Sequence, residues 1–260
     1  MYIYIYMKFQ LVSDLHLEKY DKLPSFNKLI EPKAPNLILA GDICFVKHPN
    51  FKPFFQELSK HFIQIFFVPG NHEYYDTQYH YNSLAEIELI IKDKLSHLSN
   101  IIVLQKKFKN LGSNIVIIGA TLWSYLSQKD MIEPMKLLTE TNFILYKKKL
   151  MLHPNITNDV HLKHKQWLND TLDSLKGKRI IVVTHYLPSK RCIARKYKYD
   201  TFIKSYYSNC DHLVKKATIW CAGHTHIPMK KILGKVPVYI NSCGYLWETN
   251  HYKKDFVFEV

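Results

Sequence analysis

Ala217-Thr218-Ile219-Trp220-Cys221-Ala222-Gly223-His224-Thr225-His226 is an apolar run that ends in a glycine and two histidines one residue apart. Ala217 to Ala222 reads as a buried β-strand, and the Gly-His-Thr-His turn at its end suits a metal site. A His-x-His pair alone is a weak signal. Four other strand-like runs end in the same kind of polar residue. Phe9 to Ser13 runs into Asp14-Leu15-His16, and Asn36 to Ala40 into Gly41-Asp42. Ile63 to Val68 is followed by Pro69-Gly70-Asn71-His72-Glu73. Arg179 to Thr184 ends in His185. In open α/β sheets, ligands bind beyond the carboxyl ends of the strands. Together the five ends offer the mixed oxygen and nitrogen donors that two divalent cations need.

Working outward, Phe51 to Phe62 looks amphipathic and helical. Asn82 to Leu98 carries Leu84, Ile87, Ile91 and Leu95 at a helical period. Strand, helix, strand, each strand with a loaded loop behind it, argues for a parallel-rich sheet with helical crossovers. Ile101 to Leu104 and Ile115 to Ala120 are further strands, with a turn near Asn110-Leu111-Gly112. From Leu122-Trp123-Ser124 to about Leu175 a mostly helical stretch is expected. His161, His164 and Trp167 share one face of its last helix, where histidines are more often packing residues than ligands. Val236 to Asn241 and Phe256 to Val260 close the sheet. The expected fold class is α/β, with two packed sheets and helices outside. Met1 to Met7 alternates Tyr2, Tyr4 and Tyr6 with Ile3 and Ile5, which reads as an edge strand or as an extension before an alternative start at Met7.

The 260 residues contain no Pro/Gly/Ser-rich linker, and the motifs run from residue 14 to residue 226, so a single domain over 1–260 is expected. Hydrophobic content of 47% and charged content of 22% are globular values and exclude a disordered chain. No segment approaches the roughly 18 apolar residues of a membrane span, and the start lacks the basic and apolar regions of a signal peptide. A cytoplasmic location is therefore expected. Five cysteines without paired spacing agree with a reducing compartment. The formal charge of +14 favours anionic partners such as phosphates, nucleotides or nucleic acid. The lysines are spread rather than blocked, as AT-biased coding would also leave them.

Two cations held side by side need a shared ligand, and a carboxylate has two oxygens and a charge that screens their repulsion. Asp42, alone after a strand and a glycine, is the natural bridge. Asp14, His16, Asn71, His185, His224 and His226 complete a set of seven side chains, few enough to leave room for water and substrate. His72, beside Asn71, need not be a ligand. Protonated, it suits stabilising charge on a phosphoryl group or giving a proton to a leaving oxygen. Arg191 and Arg195 follow His185 and suit a phosphate clamp, or else form a solvated basic loop. Tyr74, Tyr75, Tyr79 and Tyr81 either stack on a base or pack a loop against the core.

The ordered pattern Asp-x-His, Gly-Asp, Gly-Asn-His-Glu, His and Gly-His-x-His resembles that of the calcineurin-like metallophosphoesterases, over almost the whole chain. Ala120-Thr121-Leu122-Trp123-Ser124, Thr184-His185-Tyr186-Leu187-Pro188-Ser189 and Asn241-Ser242-Cys243-Gly244-Tyr245 are similar to a bacterial-type branch of mostly uncharacterised phosphohydrolases. The resemblance implies a four-layer α/β/β/α sandwich of two mixed β-sheets flanked by helices. It implies a first metal held by Asp14, His16, Asp42 and His226, and a second by Asp42, Asn71, His185 and His224. The metals are drawn from Mn, Fe, Zn, Ni and Mg. A water or hydroxide bridging them attacks phosphorus in line, with His72 assisting the leaving group. Departures from the branch are Tyr186 and Ala222, where histidine is frequent, and Asn241 to Tyr245, where the usual block carries an arginine.

The function expected is a metal-dependent phosphoesterase acting on a phosphomonoester or phosphodiester. The alternatives are a nucleic-acid-directed nuclease or phosphatase, and a non-catalytic metal-binding scaffold. No membrane and no protein partner are indicated.

Overall fold

The computed structural model describes residues 6–75, 82–112, 114–131, 145–147, 150–151, 154–248 and 251–260. In chain order the elements are β1 (Lys8–Val12), α1 (Phe26–Leu29), β2 (Asn36–Leu39), α2 (Phe51–Leu58), β3 (Gln64–Phe67), α3 (Leu84–Leu95) and β4 (Ile101–Val103). Then come β5 (Lys107–Gly112), β6 (Ile115–Ala120), β7 (Leu145–Lys147), β8 (Leu150–Met151), α4 (Pro154–Ser174) and β9 (Arg179–Thr184). The chain closes with α5 (Asp211–Val214), β10 (Ile219–Ala222), β11 (Met229–Leu233), β12 (Val236–Ile240) and β13 (Val257–Glu259).

Two mixed sheets result. One has the order β13-β1-β2-β3-β4, with only β13 antiparallel to its neighbour. The other has the order β11-β12-β10-β9-β6-β5, parallel at its centre and antiparallel at both edges. The central strands are apolar on both faces, which is why they read as continuous runs. Phe9, Leu11, Ile38, Phe66 and Val68 of the first sheet form one core with Ile115, Ile117, Ile181, Val183 and Cys221 of the second. The alternate residues, among them Leu37, Leu39, Phe67, Ile118, Val182 and Trp220, cluster instead with Phe51, Phe55 and Leu58 of α2, Ile87 and Ile91 of α3, and Leu168 and Leu172 of α4. Helix, sheet, sheet and helix are the four layers. Helix α3 begins with Ser83, whose hydroxyl accepts from the Glu86 N–H while the Glu86 carboxylate accepts from the Ser83 N–H.

Two expectations change. Where a turn was expected at Asn110 to Gly112, β5 pairs antiparallel with β6, and the register shifts between Asn110 and Gly112. Its side chains are mostly exposed, so no apolar pattern marks it. The stretch from Leu122 to Leu175 is helical over α4, and its residues 132–144, 148–149 and 152–153 lie outside the described ones. It holds a 3₁₀ turn at Gln128–Asp130 and the β7-β8 hairpin. Pro154 opens α4, a position where its missing N–H and fixed φ suit a helix. The edge strand or extension expected over Met1 to Met7 falls mostly on residues 1–5, outside the described ones. Tyr2 and Tyr4 lie outside the described residues, as do Tyr79 and Tyr81, while Met7 exchanges both backbone hydrogen bonds with Val260, at 3.0 Å each. No helix among the described residues is long and apolar enough to cross a membrane.

Candidate metal centre

The five loaded loops meet at the carboxyl ends of β1, β2 and β3 in one sheet and β9 and β10 in the other. Where the sheets converge, the Ser13 and Ser242 hydroxyls lie 3.1 Å apart. Asp14, His16, Asp42, His224 and His226 all have positive φ, between 46° and 72°. That conformation costs an L-residue about 1–2 kcal/mol, and it clusters at sites where function constrains the backbone. Gly41 and Gly70 let two of the loops touch. A Cβ on Gly41 would stand 2.7 Å from the Gly70 N, and one on Gly70 would overlap Asp42 Oδ1.

The seven residues of ligand type stand in two adjoining groups. Asp14, His16 and His226 offer atoms within 4.8 Å of one another, and so do Asp42, His185 and His224. Asn71 Oδ1 lies 2.9 Å from His185 Nε2, and the Asn71 amide nitrogen donates to the Tyr75 hydroxyl at 2.9 Å, which fixes which way the amide points. Asp42 Oδ1 accepts the His72 N–H at 2.8 Å. Its other oxygen, Oδ2, lies 3.3 Å from His185 Nε2 and 3.9 Å from His16 Nε2. Asp42 thus stands between the two groups, where a bridging carboxylate has to be.

The tautomers show what the groups suit. His16 Nδ1 is 3.0 Å from Glu18 Oε1, His226 Nδ1 is 2.6 Å from Glu248 Oε2, and His185 Nδ1 is 2.8 Å from the Ala40 carbonyl. Each of these partners is an acceptor, so each Nδ1 donates, and in the neutral ring each Nε2 is left with its lone pair facing inward. His16 Nε2 and His226 Nε2 then meet at 2.9 Å, and His185 Nε2 lies 2.9 Å from Asn71 Oδ1, 3.3 Å from Asp42 Oδ2 and 3.2 Å from His224 Nδ1. Lone pairs and carboxylates aimed at a common point call for a cation, and the mixed O/N donors fit divalent metals.

The charges respond accordingly. Burial lowers His16 and takes His224 well below the usual imidazole range. Burial would lower His185 too, but the Asp42 carboxylate outweighs it and lifts the imidazole to about 9. Against burial, the surrounding histidines, His185 first, hold Asp42 well below the usual carboxylate range.

His72 turns its Nε2 into the adjoining cavity, 3.9 Å from Asp42 Oδ2 and 3.4 Å from the Tyr245 hydroxyl. Its Nδ1 lies 2.9 Å from Glu18 Oε1, the same oxygen that His16 uses. Burial opposes charge on Glu18, but the hydrogen bonds from His16 and His72 prevail and bring the carboxyl to about 2. Glu73 lies beneath the site and accepts four backbone N–H groups, from Asp42, Ile43, Cys44 and Gly70, at 2.6 to 3.2 Å. It ties the Gly-Asp loop to the Gly-Asn-His-Glu loop.

Glu18 and Glu248 escaped the sequence reading. Asp14, His16 and Glu18 alternate along the chain, which is a signal for Glu18. Nothing local marks Glu248. Arg191 lies at the surface, 3.9 Å from Asp211, and neither it nor Arg195 lines the cavity. Tyr74 is buried and bonded to Glu88 and Gln105, whereas Tyr75 lines the cavity. His161 and His164 are buried away from both groups. His161 Nδ1 lies 3.0 Å from the Leu122 carbonyl, and His164 Nδ1 accepts the Leu122 N–H at 3.2 Å. They pin the turn after β6, where Leu122 and Trp123 also have positive φ.

A family model described as calcineurin-like phosphoesterase matches residues 7–228. The chain belongs to that family. As a calcineurin-like phosphoesterase it is a hydrolase of phosphoric esters that works with two divalent metal ions. It is 30% identical over 259 residues to the uncharacterized protein L509 of Acanthamoeba polyphaga mimivirus, spanning 93% of this chain and 92% of that one. Among solved structures it resembles phosphopantetheinyl hydrolase from Mycobacterium tuberculosis, with a TM-score of 0.74, 19% identity, and 94% and 91% of the two chains covered. A dimetal phosphatase from Danio rerio has a TM-score of 0.51 and 13% identity, with 90% and 86% covered. At these identities the likeness is one of fold.

Proposed function

We propose that this calcineurin-like phosphoesterase hydrolyses a phosphomonoester or phosphodiester at the strand-end cluster, with His72 as the proton donor. The observation that carries it is Asp42 Oδ2, set between the Nε2 atoms of His16 and His185, with His72 Nε2 at 3.9 Å on the open side. Asp14, His16, Asp42 and His226 would hold one cation, and Asp42, Asn71, His185 and His224 the other. Bound there, the pair supplies positive charge for the phosphoryl oxygens and an acidified water as nucleophile. The residues do the rest. A water gives up one proton to solvent as its oxygen bonds to phosphorus, the ester P–O bond breaks, and His72 passes its Nε2 proton to the departing oxygen, giving an alcohol and a phosphate or phosphomonoester. Glu18 orients His72 through Nδ1. Strand ends from residue 14 to residue 226 contribute, so residues 1–260 act as one catalytic unit.

The test is hydrolysis of p-nitrophenyl phosphate and bis-p-nitrophenyl phosphate by protein stripped of metal and reloaded with Mn, Fe, Ni, Zn or Mg. Turnover that returns with metal supports the reading; no hydrolysis of either ester with any of these metals contradicts it. The formal charge of +14 supports a nuclease or end-trimming phosphatase as the second reading. Binding to single-stranded DNA or RNA would then fall steeply with salt, and its absence at low salt would end that reading.

A further inference from the structure

The cavity over the cluster measures about 270 Å³, just below the ~300–1,000 Å³ of ordinary small-molecule pockets. Asp42, Asn71, His72, His224 and His226 line its floor. A phosphoryl group and the first atoms of its ester fill such a space, so the remainder of any larger substrate lies on the mouth. The mouth carries aromatic rings, two lysines and the Glu248 carboxylate, which is bonded to His226 Nδ1 and the Tyr245 N–H. Tyr245 lines the cavity and stacks on Trp247, ring centroids 4.8 Å apart and planes 19° from parallel. Trp247 is 70% exposed. Of the chain's four tryptophans, Trp123 and Trp220 are buried and Trp167 is half-buried. A large indole held flat by a cavity residue and open to water is an unspent stacking surface. Lys19 Nζ lies 5.6 Å from the Tyr245 ring centroid, and Lys196 Nζ lies 4.6 Å from that of Tyr197, another lining residue.

We infer that the Tyr245–Trp247 stack, flanked by Lys19 and Lys196, is a base subsite, and that the substrate is a small nucleotide whose phosphoryl group enters the cavity while its base lies on Trp247. The inference rests on the phosphoesterase reading of the cluster and narrows it. Sugar phosphates without a base would leave the indole uncovered. A long nucleic-acid strand would need a succession of platforms along a groove, whereas this mouth presents one stack. The lysines suit the negative charge that a nucleotide carries.

The test compares adenosine 5′-monophosphate with ribose 5-phosphate, in which a hydroxyl replaces the base, using the metal-loaded protein and its Trp247→Ala and Trp247→Phe variants. The readouts are the ratio of kcat/KM for the two esters and the quenching of tryptophan emission by a nucleoside phosphonate, whose P–C bond resists hydrolysis. Base stacking predicts a ratio that favours the nucleotide and falls roughly 5- to 100-fold in Trp247→Ala, mainly through KM. Trp247→Phe keeps part of the preference, and quenching disappears with the indole. Equal use of both esters by the unmodified protein, or a ratio that Trp247→Ala leaves unchanged, overturns the subsite while the phosphoesterase reading stands. Phosphonate quenching at Trp247 without hydrolysis of any ester keeps the subsite and removes the phosphoesterase reading. Oligonucleotides bound far more tightly than mononucleotides would replace the small nucleotide by a strand.

Discussion

Glu18 receives the Nδ1 protons of two histidines on one oxygen, so it orients His16 of the cluster and His72, the proposed proton donor, together. Replacing such an outer partner commonly lowers metal affinity or activity about 10- to 100-fold. Glu18→Gln is expected to slow alkyl phosphates more than p-nitrophenyl phosphate, because an alkoxide needs the proton from His72 and a nitrophenolate does not. A leaving-group series on the variant, with metal content measured alongside, checks this. Equal slowing for every leaving group, together with loss of one metal, would confine Glu18 to the metal site. His72→Ala is expected to lower kcat by roughly 10² to 10⁴ while both metals stay bound, and metal analysis of that variant decides between a proton donor and a structural residue. Remote from the site, burial, with the charges of Lys106 and His161 beside it, takes His164 down to about 3. Its unfolded value near 6.5 is higher, so the unfolded chain binds the extra proton. The stability held by neutral His164 is therefore full above about pH 6.5 and is lost as pH falls towards 3. Urea midpoints for the protein and its His164→Gln variant, measured between pH 7 and 4, are expected to diverge less in acid than at neutrality.

At the scale of elements, the parallel strands and the loops behind them were legible in the sequence. A strand buried on both faces is written as an apolar run, and the polar residues that end it stand out by contrast. The edges were not legible in this way. β5 exposes Lys107, Phe108, Lys109 and Asn110, so its pairing with β6 comes from the neighbour rather than from its own pattern. Glu248 was illegible for another reason, since its partner His226 is distant in sequence and meets it only in the folded chain. The loops themselves are held by backbone contact. Gly70→Ala would push a methyl onto Asp42 Oδ1, 2.6 Å from the Asp42 N. Loss of at least one bound metal and of most turnover is expected, seen by elemental analysis beside an activity assay. A variant that keeps both would show that the loops can part without harm.

For the molecule as a whole, two sheets meet so that their carboxyl ends share one site, and neither sheet holds it alone. Asp14, His16, Asp42 and Asn71 come from one sheet, and His185, His224 and His226 from the other. Backbone strain at five of these residues and repulsion between inward lone pairs both weigh against the metal-free fold. Each cation present at about 1,000 times its dissociation constant adds about 4 kcal/mol, so removal of both by chelation is expected to lower the melting temperature by roughly 15–30 °C, read by calorimetry with and without EDTA. The measurement that bears most directly on the centre is anomalous scattering from a crystal soaked in manganese. Two peaks about 3.5–4 Å apart are expected, one on each side of Asp42, the first beside Asp14, His16 and His226 and the second beside Asn71, His185 and His224. A soaked crystal with no peak there, or with its peaks elsewhere on the molecule, would contradict the dinuclear centre proposed here.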